Sequence, residues 1–263
     1  MWRGSNAGAL FEAFHRLGHQ INIVDEFYHL PLRTEKGIAK IISKVFRRVY
    51  VKSYNQAIQK EYEMAQPDIV LVYKGAFVEP DTVKQMKKSC KVVCFYPDVS
   101  FYTHGSLLPK TLPLYEKVFT TKTFGVKDMK NRLGQDRGVF VPHGYNPEVH
   151  RPISVADDVK KIYECDASFI GGWSQHKEDY LKYLVEKLPK IKLRIWGPSW
   201  VNCKLPILQS NIEGKGVFGD LYATAIASSK INIALLSEQV KGASSGDQIT
   251  SRTFHNTAAG GFM

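Results

Sequence analysis

The chain has little of what would take it out of the ordinary class of folded enzymes. It holds four cysteines in 263 residues. Cys90, Cys94, Cys165 and Cys203 form no C-x-x-C pair and have no histidine at zinc-finger spacing, which argues against structural zinc and thiol redox chemistry. A reduced, cytoplasmic protein is the plain reading. No apolar run approaches the roughly 20 residues that a membrane span requires, and no signal peptide opens the chain. There is no D-x-D motif and no low-complexity segment, and the Gly/Ser loop near the start does not have the G-x-G-x-x-G spacing. Acidic residues are also in short supply, 25 Asp and Glu against 36 Lys and Arg, for a net charge of +11. That balance favours an acidic partner: nucleic acid, an anionic membrane surface or a phosphorylated substrate. Nucleic acid is disfavoured, because the aromatics are not interleaved with basic residues in any recognition motif.

What is present is alternation of strand and helix. A Gly/Ser loop, Gly4-Ser5-Asn6-Ala7-Gly8, feeds a helix through Ala13, Phe14 and Leu17, which Gly18 ends before an expected strand Ile21–Asp25. This is a βαβ unit whose first strand would precede residue 1. Residues 38–50 place Ile38, Ile41, Ile42, Val45, Phe46 and Val49 on one helical stripe with Lys40, Lys44, Arg47, Arg48 and Lys52 around it. Such a helix either packs its stripe on a sheet or lies on an anionic membrane. Runs at 67–75 and 91–98 read as buried parallel strands, with shorter ones at 118–122 and 138–142. Ligands of open α/β sheets sit beyond the carboxyl ends of strands, so Lys74, Asp98 and His104 are expected to face a cleft, where Asp98 or His104 can serve as acid or base.

Three prolines in Pro142–Pro152, followed by Asp157-Asp158, read as a linker, so the expected domains are 1–151 and 152–263. The second half repeats the alternation. A strand at 166–170 turns at Gly171-Gly172 into a helix carrying Tyr180, Leu181, Leu184, Val185 and Leu188. Further runs follow at 193–198, 216–219 and 231–236, with a helix at 221–229 that Asp220 caps. The fold class is therefore α/β with two Rossmann-like domains. Near the end, Thr250 and Ser251 are good N-cap types before a short helix that stops at Gly260-Gly261. Backbone N–H groups and the positive end of the dipole attract anions there, and Arg252 in the first turn complements a phosphate.

Thr250-Ser251-Arg252-Thr253-Phe254, followed by Ala258-Ala259-Gly260-Gly261-Phe262-Met263, resembles the signature of the CgeB-type spore-maturation glycosyltransferases, roughly S-R-T-F-E-x-x-A-C-G-x-F. Pro142–Pro152 resembles the same family's P-x-G-x-x-P-x-x-H-x-P segment. Asp247 and His255 have the eight-residue spacing of the paired glutamates of glycosyltransferase family 4, and neither is Glu.

The resemblance implies a GT-B fold, two Rossmann-like domains facing across a cleft, with the given chain lacking an opening strand and the close of its second domain. It implies sugar transfer from a nucleotide-diphosphate donor to the hydroxyl of a glycan, protein or lipid-linked acceptor, for a spore or surface glycan, with retention at the anomeric carbon and without a metal or other cofactor. Gly171 and Gly172 would let the backbone approach the diphosphate, with Lys177, Thr250, Ser251, Arg252 and Thr253 meeting its charge. Trp196 or Phe218 would lie near the base, although both fit a plain core equally well, Gly197 would belong to the donor-binding residues, and His255 would lie near the ribose. Gly4, Ser5, Asn6 and His143 would line the acceptor side, and Asp98, His104 and Asp247 would be catalytic. A nucleotide-sugar binder without activity and a basic nucleic-acid binder are the alternatives.

Overall fold

The computed structural model describes residues 5–30, 41, 45–134, 136–236 and 249–263. The chain packs as two units, one formed by residues 13–142 and the other by 143–263 together with the residues up to Glu12. The helices are α1 (Asn6–Arg16), α2 (Glu26–His29), α3 (Arg47–Ala65), α4 (Pro80–Met86), α5 (Leu108–Thr111), α6 (Thr123–Leu133), α7 (Asp157–Tyr163), α8 (Gln175–Lys187), α9 (Pro206–Gln209), α10 (Asp220–Ala227) and α11 (Ser251–Ala258). The strands are β1 (Ile69–Tyr73), β2 (Lys91–Phe95), β3 (Val118–Thr120), β4 (Gly138–Phe140), β5 (Cys165–Ile170), β6 (Leu193–Trp196) and β7 (Ser229–Ile233).

In the 13–142 unit the four strands stand in the order β1-β2-β3-β4, all parallel. Val92, Cys94 and Val118 carry the sheet into a core closed by Met86, Leu108, Leu112 and Tyr115. α3 joins this core through Val51 and Tyr54, and its buried Asn55 is fully engaged. The Asn55 amide donates to the carbonyls of Val51 and Phe77, and its oxygen accepts from Glu79 N–H, so the polar group holds the helix to the loop after β1. α3 stops where Gln66 turns left-handed at φ 44°.

The second unit has the parallel order β6-β5-β7. Its central strand β5 lies between two apolar clusters, one in which Phe169 packs with Leu181, Ile195 and Trp200 and one in which Cys165 packs with Trp196, Tyr222 and Ile226. The α/β class with Rossmann-like alternation is therefore what the chain adopts.

Three local expectations are corrected. Residues 19–25 form no strand, because among the described residues β1 pairs only with β2 and nothing completes a ladder for Ile21–Asp25. Asp25 instead caps α2, accepting from Phe27 N–H at 3.1 Å. Residues 216–219 are not a strand either: the segment beside β6 comes earlier, where Ile195 N–H donates to Asn211 and Gly197 N–H to Lys215. Finally, α10 is entered through Gly219, at φ 57°, with Asp220 its first residue and not its cap. Of the expected amphipathic helix, residues 38–40 and 42–44 lie outside the described residues, while Ile41, Val45, Phe46 and Val49 are exposed.

Candidate functional site

The carboxyl edge of the β5 sheet is built around three consecutive carbonyls. Ile170 O accepts from Arg252 Nε at 2.5 Å, Gly171 O from Trp200 Nε1 at 2.8 Å, and Gly172 O from Lys177 Nζ at 2.9 Å. A second Arg252 bond, Nη1 to Leu235 O at 3.1 Å, reaches the chain just past β7. One guanidinium thus joins the ends of two strands. The glycines have a packing reason. A Cβ on Gly171 would stand 2.9 Å from Arg252 Cζ and Nε, and one on Gly197, at φ +142°, would run into the Gly171 carbonyl.

Two cations meet here. Lys177 Nζ lies 6.0 Å and Arg252 Cζ 5.3 Å from the centre of the Phe169 ring. Lys177 is buried, and that burial, together with the Arg252 charge, pulls its ammonium down to about 8. Burial likewise lowers the Arg252 guanidinium. Among the described residues neither cation has a carboxylate partner. Lys177 uses one of three donors and Arg252 two of five, so donors remain on both. Lys177 sits in the first turn of the 13-residue helix α8, whose N-cap Ser174 makes no side-chain cap bond and whose Oγ is buried without a hydrogen-bond partner. Two cations, one buried and one half-buried, with no carboxylate partner among the described residues, thus stand beside a helix N-terminus and an idle hydroxyl, a combination of groups that can accept an anion.

α11 begins at the cap its sequence offers, and the capping groups are engaged within the helix itself. Thr250 is its N-cap, accepting from Arg252 N–H at 3.1 Å, and Thr253 Oγ1 accepts from Thr250 N–H at 3.2 Å. The two threonine hydroxyls and the Arg252 N–H serve the capping box, and the Arg252 side chain runs back to the strand ends. His255 stacks on His150, with ring centres 3.8 Å apart and planes 7° apart, and both rings meet Tyr222 edge-on. Asn146 N–H donates to His150 Nδ1, which sets that ring as a neutral acceptor. Burial lowers His150 to about 4, and burial plus the charges of His150, Arg252 and His143 lower His255 to about 3.

Of the residues expected near a base, Trp196 is corrected. It is fully buried between Tyr163, 6.2 Å away, and the second unit's core, so it is a core residue and its ring meets no solvent. Phe218 is 56% exposed. Asp247 and Gly4 lie outside the described residues. Ser5 caps α1, its Oγ accepting from Gly8 N–H at 3.0 Å; Asn6 is exposed; His143 approaches the Phe254 ring at 6.4 Å.

A second polar cluster stands in the 13–142 unit, at the carboxyl ends of β1 and β2. Asp98 Oδ2 lies 2.8 Å from Lys74 Nζ and 3.4 Å from His104 Nε2, and Tyr96 Oη is 2.8 Å from His104 Nδ1. Burial pushes the Tyr96 hydroxyl far above its ordinary range, so it stays protonated, and His104 Nδ1 also lies 3.2 Å from the Ser100 carbonyl. Lys74 holds φ +64°, the strained left-handed region, followed by Gly75 at φ +74°. The structure brings Asp98 and His104 together as a pair. Sequence reading missed Tyr96, although its place directly before Pro97-Asp98 at a strand end was a signal.

Residues 176–263, which include Lys177 and Arg252, match a family model described as "Glycosyl transferase-like". No curated protein matches the chain in sequence. Among solved structures, an S. aureus MnaA-UDP co-structure is similar over 69% of this chain, at 10% identity and a TM-score of 0.44. The chain spans 57% of that protein's length.

Proposed function

We propose that the protein is a glycosyltransferase of the CgeB-type, GT-B group. In this reading it moves a sugar from a nucleotide diphosphate to an acceptor hydroxyl, with retention and without a metal. The observation that carries the reading is the pair Lys177, buried, and Arg252, half-buried, which have no counter-anion among the described residues and stand at the carboxyl edge of a parallel sheet. A diphosphate is the anion that matches two adjacent fixed charges and a helix N-terminus. As the glycosidic bond breaks, negative charge grows on the leaving phosphate, and donors already in place stabilise it without reorganisation. Lys177 Nζ and the free Arg252 N–H groups supply them. Gly171 and Gly172 keep the approach clear of side chains, and Phe218 offers an exposed ring for a base. Asp98 is the proposed acceptor-side group, held by Lys74 and His104 so that its remaining oxygen accepts from the incoming hydroxyl.

A nucleotide-sugar binder without transferase activity is the second reading, and one observation favours it. His255, at the position of a family glutamate, is held in a neutral ring stack. The two readings part in one experiment: the full chain is incubated with radiolabelled UDP- and GDP-sugars. Release of free nucleotide, faster than without protein and lost in Asp98→Asn, supports transfer; saturable binding with no release from any donor supports the second reading.

A further inference from the structure

We infer that the start of α3 is a docking surface for an anionic lipid bilayer. The helix has two unlike sides. Val51, Tyr54 and Asn55 are buried against the sheet, with Ile58 and Tyr62 packed beside them. Val49, Lys52, Ser53, Gln56 and Lys60 are exposed at the spacing of one opposite face. Ahead of it, large apolar side chains stand in water where a stripe packed on the sheet was one expectation: Ile41 is 63% exposed, Val45 72%, Phe46 50% and Val49 61%. Val45, Phe46 and Val49 lie within five positions and, beside a face buried in the core, form an apolar patch that a monomeric surface rarely leaves uncovered.

The charge beside the patch selects what covers it. Arg48 and Lys52 are exposed and form no ion pair among the described residues, and no acidic residue occurs from Arg47 through Lys60. Arg47, also exposed, lays its guanidinium 5.6 Å from the Phe77 ring. Apolar side chains flanked by unpaired cations match the interfacial layer of an anionic bilayer, where the chains enter the acyl boundary and the cations stay with the headgroups. A protein partner would need acidic side chains around an apolar centre, and it is the outcome that the test below would leave standing. Among the described residues no helix is long and apolar enough to cross a membrane, so the contact is peripheral. The inference is independent of nucleotide binding.

The test is sedimentation of the full chain with vesicles of phosphatidylcholine alone and of equal parts phosphatidylcholine and phosphatidylserine. Binding is expected only to the anionic vesicles, and it weakens as salt is raised. A charge near the surface is worth about 1 kcal/mol, so the double variant Arg48→Gln, Lys52→Gln should lose about 25-fold in partitioning. Phe46→Ser, which keeps every charge, should also weaken binding, and this separates insertion from simple attraction. The control is Lys160→Gln, Lys161→Gln, which removes two exposed cations on α7 and should bind as the parent does. Thermal melts confirm that each variant is folded. A parent that ignores anionic vesicles overturns the proposal. So does a control that loses as much as the Arg48, Lys52 variant, or a Phe46→Ser protein that binds undiminished.

Discussion

His255 lies flat on His150, ring centres 3.8 Å apart, and both rings are neutral in the folded protein because burial disfavours their charged forms. Their lowered values, about 4 and about 3, set a direction for acid stability. The unfolded chain binds protons at these rings from about pH 6.5 downward, whereas the folded one resists until about pH 4 and below. The stack's contribution is complete above pH 6.5 and is lost as pH falls toward 3. Each ring adds at most about 1.4 kcal/mol per pH unit across that window. His255→Phe, which keeps a stacking ring, should flatten the acid limb of a plot of melting temperature against pH. An unchanged limb would contradict the account.

Arg252 has a structural task as well as a charge. Arg252→Ala leaves the partly buried carbonyls of Ile170 and Leu235 without their donor, and a fully buried acceptor left unsatisfied costs about 1 to 3 kcal/mol, an upper bound for each here. The variant should therefore melt well below the parent even without ligand. Arg252→Lys can serve one carbonyl but not both in the planar geometry, so it should fall between the two. Calorimetric melts of the three proteins decide this, and equal melting temperatures would remove Arg252 from the strand-end junction.

The Tyr96–His104–Asp98 series separates turnover from donor binding. Asp98→Asn keeps the shape and removes the charge that Lys74 and His104 hold in place. Nucleotide affinity should stay at the parent value while nucleotide release from the sugar donor falls about a hundredfold or more. Tyr96→Phe should lower release less, since it loses only the bond that orients His104. Loss of nucleotide binding in Asp98→Asn, with the fold intact, would contradict the separation.

Much of the fold was legible because parallel strands covered on both faces read as near-continuous apolar runs, as in Ile69–Tyr73 and residues 92–95. Ile21–Asp25 has the right composition, yet a strand is made by its neighbours, and composition does not report whether a neighbour is there. Thr250 was readable as a cap, since capping is local. The Arg252 side chain was not: its first partner, Ile170, is 82 residues away in sequence, and a residue type suited to phosphate is equally suited to a carbonyl. Trp196 shows the same limit. An aromatic at a strand end fits a base or a core, and burial alone distinguishes them.

The central claim is that Lys177, charged and buried, helps to hold a diphosphate. Its ammonium titrates at about 8, so it is charged at pH 7 and largely neutral at pH 9. The anion favours the charged form. UDP or GDP affinity should therefore hold steady below pH 7 and weaken as pH passes through 8. Without nucleotide the sign reverses, because the unfolded chain holds this proton up to about 10.4 while the folded one releases it earlier. Apo stability should gain from this residue as pH rises from 8. Lys177→Met keeps the chain over Phe169 and removes the charge, at a cost of about 1.5 to 3 kcal/mol in binding, or roughly ten- to a hundredfold. The most direct measurement is calorimetric titration of parent and Lys177→Met with UDP and GDP at a series of pH values from 6 to 9. The account predicts parent binding that weakens through pH 8, and weaker variant binding whose fall through pH 8 is absent. A folded Lys177→Met protein that binds as tightly as the parent at pH 7, with the same pH dependence, would contradict it.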